Sequence, residues 1–326
     1  MKPLVVLGGP IHPAGMKQLE AEVDVVVERD ETEPGIIRAA REAAGILFRA
    51  KPSCTRSLMA GCPKLRVVGR HGAGLDIVDL DAATDLGIAV VHAPGSNSSS
   101  VAEHAVMLML MCAKRAVVVD RMTRLADWAK NRWEGMAEMQ GKTLGIVGVG
   151  NIGRRVARTA SALGMRVVGY DKYVDAAELS SRGVEPMPDL ASVLRQADVV
   201  TCHTPHTPET HHMIDAAAIA QMKDGAIFVN TSRGKVQDEE ALLQALQSGK
   251  IASAGLDVFE EEPVSSDNRL LQLDNVVVSS HVAGVTAESM QAMALQVTAE
   301  MLRVIRGERP HVLGNPALWP KLGHLR

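Results

Sequence analysis

The sequence predicts an α/β protein built from doubly wound parallel sheets, and three observations carry that expectation. The stretch Lys142–Asp171 reads strand, glycine turn, helix, strand and acid within 30 residues. Residues 1–95 alternate short apolar runs with helical segments. Residues 142–283 repeat the same rhythm. Alternation of this kind places crossover helices on both faces of a parallel sheet. A length of 326 residues allows about two domains, each large enough for its own core.

The central stretch can be justified part by part. Leu144–Val147 is a short apolar run suited to a buried parallel strand. Gly148, Gly150 and Gly153 follow at G-x-G-x-x-G spacing. Gly148 allows the tight turn, Gly150 lets a pyrophosphate approach the backbone, and Gly153 lets helix and strand pack closely. Val156, Ala157, Ala160 and Leu163 recur at helical spacing. The N-terminus of that helix has free N–H groups and a dipole that favours anions. Val167–Tyr170 is a second strand ending at Asp171, 18 residues after Gly153. An acid there accepts hydrogen bonds from a ribose 2′-OH and repels a 2′-phosphate, which favours NAD over NADP. Lys172 weakens that preference.

The remaining elements follow the same logic. In the first block Leu4–Leu7, Val23–Val27, Gly45–Phe48, Leu65–Val68 and Ile88–Val91 are expected strands. Ala14–Glu22, Glu33–Ala43 and Asp79–Leu86 are expected helices, and Gly9-Pro10 and Pro94-Gly95 mark turns. Ser98–Ser100 are expected to cap a long apolar helix over about 101–127, with Glu103 near its first turn. In the second block strands are expected near Val199–Cys202, Ala226–Asn230, Ala252–Leu256 and Val276–Ser279. Helices fit Asp189–Gln196, Asp215–Met222, Glu239–Gln247 and about 287–306.

Composition narrows the function. A net charge of −3 gives no pull toward nucleic acid or an anionic membrane. Aromatics at 2% make base-stacking platforms improbable and the cores aliphatic. Cys54, Cys62, Cys112 and Cys202 form no C-x-x-C and read as reduced thiols in a cytoplasmic protein. The N-terminus lacks the apolar stretch of a signal peptide, and the run Ala105–Ala113 is far short of the ~20 residues that span a bilayer. His203, His206, His211 and His212 do not assemble a metal set, so no metal is expected.

Three reactive spots follow strands in the second block: Asn230-Thr-Ser-Arg233-Gly, Asp257 to Glu262-Pro, and Ser279-Ser-His281-Val-Ala-Gly284. Ligands of open α/β sheets bind outside the carboxyl ends of the strands. If the three strands are neighbours, Arg233, Glu262 and His281 converge. That trio suits interconversion of an alcohol and a carbonyl beside a nicotinamide. His281 exchanges the proton near neutral pH. Glu262 fixes its tautomer, and Arg233 forks two donors onto a substrate carboxylate and carbonyl oxygen.

These segments resemble a known family. GVGNIGRRVA, NTSRG, LDVFEEEP and SSHVAG are similar to marker segments of the NAD-dependent D-isomer-specific 2-hydroxyacid dehydrogenases. GRHGAGLDIVDLDAATDLGI, SVAEHAVMLML and QGKTLGIVGVGNIG resemble the D-3-phosphoglycerate dehydrogenases within it, over about residues 4–316. The resemblance implies two Rossmann-like domains with a cleft between them. The substrate domain is discontinuous, 1–98 plus 286–326, and the NAD-binding domain is 99–285. It further implies a homodimer or homotetramer built around the cofactor domains.

Carried over by motif, Arg233 binds the substrate carboxylate, and Glu262 and His281 form the acid–base dyad. Asn151 and Ile152 lie on the pyrophosphate, and Asp171 holds the adenine ribose. Thr231 flanks the nicotinamide and Asp257 meets its carboxamide. Thr204, Ser232 and Gly284 complete the cofactor set with Gly148, Gly150, Gly153 and His281. The loop Gly72-Ala73-Gly74 offers N–H groups to the substrate carboxylate. Arg49, Arg70 and Arg132 match basic positions that hold a distal phosphate. A guanidinium cluster suits a second anion, whether phosphate, sulfonate or carboxylate.

Two departures stand out. Ala50 follows Arg49 where the phosphoglycerate enzymes often carry Ser, which is expected to loosen phosphate binding, and with the sequence ending soon after Asn315-Pro316 the regulatory domain of the longer enzymes and its serine feedback are not expected. On the arginine positions, the first substrate expectation is 3-phosphoglycerate with 3-phosphohydroxypyruvate. Hydroxypyruvate, glyoxylate or sulfolactate-type acids are the alternatives, and an NAD-sensing corepressor is the reading from a different class.

Overall fold

The computed structural model describes residues 2–128 and 135–322. The chain divides into two compact units, Met1–Asn97 with Val285–Arg326, and Ser98–Gly284. Arg132 lies outside the described residues.

The first unit alternates β1 (Leu4–Gly8), α1 (Pro13–Glu20), β2 (Asp24–Glu28), α2 (Glu33–Ala40), β3 (Gly45–Phe48), α3 (Arg56–Ala60), β4 (Val67–Arg70), α4 (Leu80–Asp85) and β5 (Ala89–Val91). Its sheet is parallel, in the order β2-β1-β3-β4-β5. The helices start where side chains supply the missing acceptors. Thr32, Thr55 and Asp79 accept from the N–H groups of Gly35, Leu58 and Ala82. Aliphatic side chains fill both faces of the sheet. One face is covered by the last long helix, Ala287–Ile305, through Ala294, Val297, Met301 and Leu302. A Cβ on Gly15 would stand 2.8 Å from that of Ala294, so α1 and this helix meet at a small-residue contact.

The second unit begins with α5 (Ser98–Ala113) and α6 (Ala116–Arg124). It continues through β6 (Thr143–Val147), α7 (Gly153–Ala162), β7 (Arg166–Tyr170), α8 (Ala176–Ser181), β8 (Glu185–Pro186), α9 (Leu190–Gln196) and β9 (Val199–Cys202). It ends with α10 (Ala216–Gln221), β10 (Ala226–Asn230), α11 (Glu239–Ser248), β11 (Ile251–Leu256) and β12 (Val276–Val278). All pairings are parallel, in the order β12-β11-β10-β9-β6-β7-β8. Strand order therefore reverses between β6 and β9, which is where an open sheet of this kind leaves a crevice.

Several expectations need correction. The long helix expected over about 101–127 is two helices, because Arg115 takes a left-handed φ of 49° and Ala113 gives its carbonyl to Ala137 N at 2.8 Å. Ser98–Ser100 do not cap α5 from outside. They form its first turn, Ser98 and Ser100 are buried, and Glu103 falls beyond that turn. The strand expected at Leu65–Val68 starts two residues later. Leu65 N closes a turn onto Cys62, and Val67–Arg70 pairs with β3. The short α3, α8 and β8 carried no periodic signal strong enough to read.

Among the described residues no helix is long and apolar enough to cross a membrane. The four cysteines are buried and unbridged, and burial pushes the thiols of Cys54, Cys112 and Cys202 up to about 12.

Candidate active site

The glycine turn sits at the carboxyl end of β6, at the reversal of the sheet. Gly148 has φ 88°, and a Cβ there would stand 2.8 Å from Thr204 and 3.0 Å from the His203 backbone. Gly153 packs onto the Gly148 carbonyl. A Cβ on Gly150 would meet nothing within 4 Å, so open space lies over the turn. Helix α7 starts with no side-chain cap. Thr204 Oγ1 is buried beside the turn with no protein partner. Asn151 is exposed and accepts from Arg154, while Ile152 packs on the core. Asp171 Oδ2 accepts from Val149 N at 2.8 Å, and Oδ1 from Tyr173 N at 2.9 Å. The acid thus shapes the turn as well as charging it.

The three strands β10, β11 and β12 are neighbours, and their carboxyl ends bring the expected trio into one place. Asn230 closes β10, fully buried, and organises the turn after it. Its Oδ1 accepts from Ser232 N and Oγ, and its Nδ2 donates to Arg233 O and to Gln237 Oε1, both at 3.0 Å. Gly234 lies directly under the Phe259–Glu260 backbone, where any side chain would overlap it. Thr231 and Ser232 are buried. Arg233 Nη1 donates to Ser232 O, and its charge bears on Glu262.

After β11, adjacent acids take different roles. Glu260 and Glu239 exchange hydrogen bonds, the Glu260 carboxylate accepting from Glu239 N at 2.8 Å and the Glu239 carboxylate from Glu260 N at 2.6 Å. Glu262 instead accepts from Phe259 N at 3.0 Å and from His281 Nδ1 at 2.6 Å. Burial alone would raise the Glu262 pKa. The His281 and Phe259 hydrogen bonds, with the Arg233 charge, outweigh burial and hold it below the usual carboxylate range.

His281 occupies a left-handed backbone position with φ 56°. Its loop is clasped by Asp257, which is buried. Oδ1 accepts from Ser279 Oγ at 2.6 Å and Val282 N at 2.9 Å, and Oδ2 from Ala283 N at 2.9 Å. His104 on α5 reaches Ser279 Oγ at 2.8 Å and ties the helix to the same loop. Gly284 ends the unit.

Within the first unit, Arg49 follows β3 and Arg70 ends β4. Arg49 Nη1 reaches Pro10 O, and Arg70 Nη1 donates to His71 O. His71 is buried between them. Burial first, then the charges of Arg49 and Arg70, push its imidazole down to about 4, so it is neutral. Gly72 N donates to Arg70 O at 2.8 Å, and Ala73 O takes His92 Nδ1 at 2.7 Å.

Other features lie apart from this geometry. His206 Nε2 and His211 Nδ1 are 3.2 Å apart and the His211 and His212 rings stack, which an irregular turn with φ 49° at His212 permits. Among the described residues no group of three or more potential ligands could hold a metal. A cavity of about 250 Å³ opens at the opposite, amino ends of β10, β11 and β12, beside Cys112, Arg115 and Asn275. The motifs gave Arg233, Glu262 and His281, included Asn230 and Ser279 without assigning them a role, and did not reach Gln237 or His104. Their roles come from contacts that sequence spacing does not encode.

A reversing parallel sheet with an open glycine turn, an uncapped helix start and an acid after the next strand defines the second unit as a dinucleotide-binding module. The family model described as D-isomer specific 2-hydroxyacid dehydrogenase, NAD binding domain, matches residues 106–283. The chain belongs to that family, and its second unit carries the family's NAD-binding domain. It is 39% identical over 324 residues to the D-3-phosphoglycerate dehydrogenase of Methanocaldococcus jannaschii, covering 99% of this chain and 62% of that protein. It therefore spans less than two thirds of that relative's length. It is 38% identical over 322 residues to the glyoxylate reductase of Korarchaeum cryptofilum, covering 97% and 96% of the two chains. Among solved structures it is similar to the D-lactate dehydrogenase of Aquifex aeolicus complexed with NAD and lactic acid. The TM-score is 0.82 at 30% identity, covering 94% of this chain and 96% of that one.

Proposed function

We propose that the protein is an NAD-dependent oxidoreductase that moves a hydride between the nicotinamide and a small D-2-hydroxy acid or its 2-oxo partner. The observation that carries this reading is the 2.6 Å contact of His281 Nδ1 with Glu262, set beside Arg233 at the carboxyl ends of adjacent strands. The open space over Gly150 and the partnerless Thr204 Oγ1 fit the cofactor. In this reading Gly148, Gly150, Asn151, Ile152 and Gly153 hold the pyrophosphate, and Asp171 the adenine ribose. Thr204, Thr231, Ser232, Asp257 and Gly284 line the nicotinamide half.

Bound NAD supplies the hydride acceptor or, reduced, the donor. The chain's own groups do the rest. Arg233 orients the substrate carboxylate and polarises the carbonyl oxygen. His281 has Nδ1 engaged by Glu262, so the proton is exchanged at Nε2. The Glu262 carboxylate fixes that tautomer and stabilises the imidazolium when it forms.

For the substrate, the first choice is 3-phosphoglycerate and 3-phosphohydroxypyruvate. Arg49 and Arg70, gathered about a neutral His71 in the first unit, support a second anion on the substrate. Glyoxylate or hydroxypyruvate reduction is the second reading, favoured by the end-to-end match with a glyoxylate reductase. Reduction of 3-phosphohydroxypyruvate, hydroxypyruvate, glyoxylate and a sulfonate analogue, followed at the NADH absorbance, separates them by kcat/KM. Absence of any preference for the doubly anionic acids would remove the phosphoglycerate reading. NADH binding with no turnover on any acid would favour the corepressor reading. Exposed Met107, Val117, Val119, Leu125 and Trp128 on and after α5 and α6 support a homodimer or homotetramer, which light scattering of the purified chain tests.

A further inference from the structure

Lys172 follows the acid that would meet the adenine ribose. An unpaired ammonium there would attract a ribose 2′-phosphate and erode discrimination against NADP. In the fold its charge is already answered. Lys172 Nζ donates to Glu209 Oε1 at 2.7 Å, and Tyr173 OH donates to Glu209 Oε2 at 3.1 Å. Both donors come from the segment after β7, so one carboxylate gathers them. Glu209 belongs to the loop after β9, whose start is seated on the glycine turn through the close approach of His203 and Thr204 to Gly148. The loop is internally braced. Thr207 N donates to Thr210 Oγ1 at 2.8 Å, Thr210 Oγ1 to Pro205 O at 2.7 Å, and His211 N to Thr207 O at 2.9 Å. The acid is thus delivered by a built turn. Asp171 has an N–H on each of its oxygens and keeps its negative charge in place.

We propose that Glu209 is a specificity-determining residue: by holding Lys172 in an ion pair on the ribose side of the glycine turn, it keeps that ammonium from the 2′-phosphate of NADP. The inference rests on the dinucleotide reading above and deepens it. A phosphate monoester carries about −1.5 to −2 charge near neutral pH. It meets Asp171, Glu209 and a cation already paired. The neutral 2′-OH of NAD is nearly indifferent to the same groups. Lys172 and Glu209 are each about half exposed, with side-chain exposures of 55% and 54%, so the pair adds little to folding. Its effect is differential, between two ligands that differ only in charge at one position.

The test titrates NADH and NADPH fluorescence against the wild-type chain, Glu209→Gln, and Glu209→Gln combined with Lys172→Met. In Glu209→Gln, NADPH affinity is expected to rise about five- to tenfold at low salt while NADH stays within about twofold. The NADPH gain should shrink as salt is raised and vanish in the double variant, where no ammonium remains to be released. An unchanged NADPH-to-NADH ratio in Glu209→Gln, or a gain that survives loss of Lys172, overturns the proposal while leaving the dinucleotide reading intact. A wild-type chain that binds neither nucleotide overturns the dinucleotide reading itself, and this inference with it.

Discussion

Replacing Asp257 by Asn tests whether one buried carboxylate holds the loop that presents His281. Asp257 is 1% exposed, and its two oxygens take Ser279 Oγ, Val282 N and Ala283 N at 2.6, 2.9 and 2.9 Å. The His281 N–H goes to the Asp257 backbone carbonyl at 2.8 Å, which the substitution spares. Asn keeps the shape but has one acceptor oxygen. In either orientation its NH2 faces a backbone N–H, and the surviving bonds lose their charge assistance. Hydrogen bonds to charged groups contribute about 1.5–3 kcal/mol each, so losing one outright and weakening the others costs about 3 kcal/mol. For a domain of this size that is about 6–12 °C in Tm.

The left-handed φ of 56° at His281 then loses part of what over-determines it. Turnover should fall further than NADH affinity. Thermal melting by circular dichroism, with kcat and an NADH titration on the same samples, reads all three. A Tm within about 2 °C of wild type with kcat unchanged would refute the clasp. A loss confined to NADH affinity at unchanged stability would instead place Asp257 on the cofactor carboxamide.

Three further predictions use the same site. His281→Ala should lower kcat by about 10²–10⁴-fold while NADH titrations stay near wild type; an unchanged kcat removes the imidazole from proton exchange. Arg233→Ala should raise KM for the 2-oxo acid and lower kcat together, and an effect on melting alone would make Arg233 purely structural. Glu262 has a folded pKa below its ordinary value, so its contribution to stability is present above the usual carboxylate range and is lost as pH falls through the lowered value. Glu262→Gln should therefore flatten the loss of stability as pH falls below the usual carboxylate range in denaturant titrations, and a variant as acid-sensitive as wild type contradicts the assignment.

Much of the site is legible in the chain because its parts are local. The glycine turn is written in spacing. Gly148 takes a positive φ of its own and Gly153 packs on the Gly148 carbonyl, both local, although the close approach of His203 and Thr204 to Gly148 comes from the distant loop after β9. Arg233, Glu262 and His281 are legible as residues within a few positions of the ends of apolar runs that announce where strands end. Helix starts at Asp189, Asp215 and Asp238 are equally local, each a side chain accepting from an N–H three residues on.

What spacing could not supply is adjacency. That β10, β11 and β12 lie side by side, and that the sheet reverses between β6 and β9, depends on hydrogen bonds between segments dozens of residues apart. The break at Arg115 escaped because both flanking segments are good helix, and a carbonyl taken by Ala137 decides the matter. The His104 link to Ser279 and the Glu209 link to Lys172 join residues separated by 175 and 37 positions. By itself the sequence determined most of the element types and the glycine turn, and offered candidates for the reactive groups, since covalent order and side-chain chemistry bear on those. Tertiary packing alone decided which of those groups touch, because burial of apolar faces draws remote segments together and only then fixes the orientation of the polar groups between them.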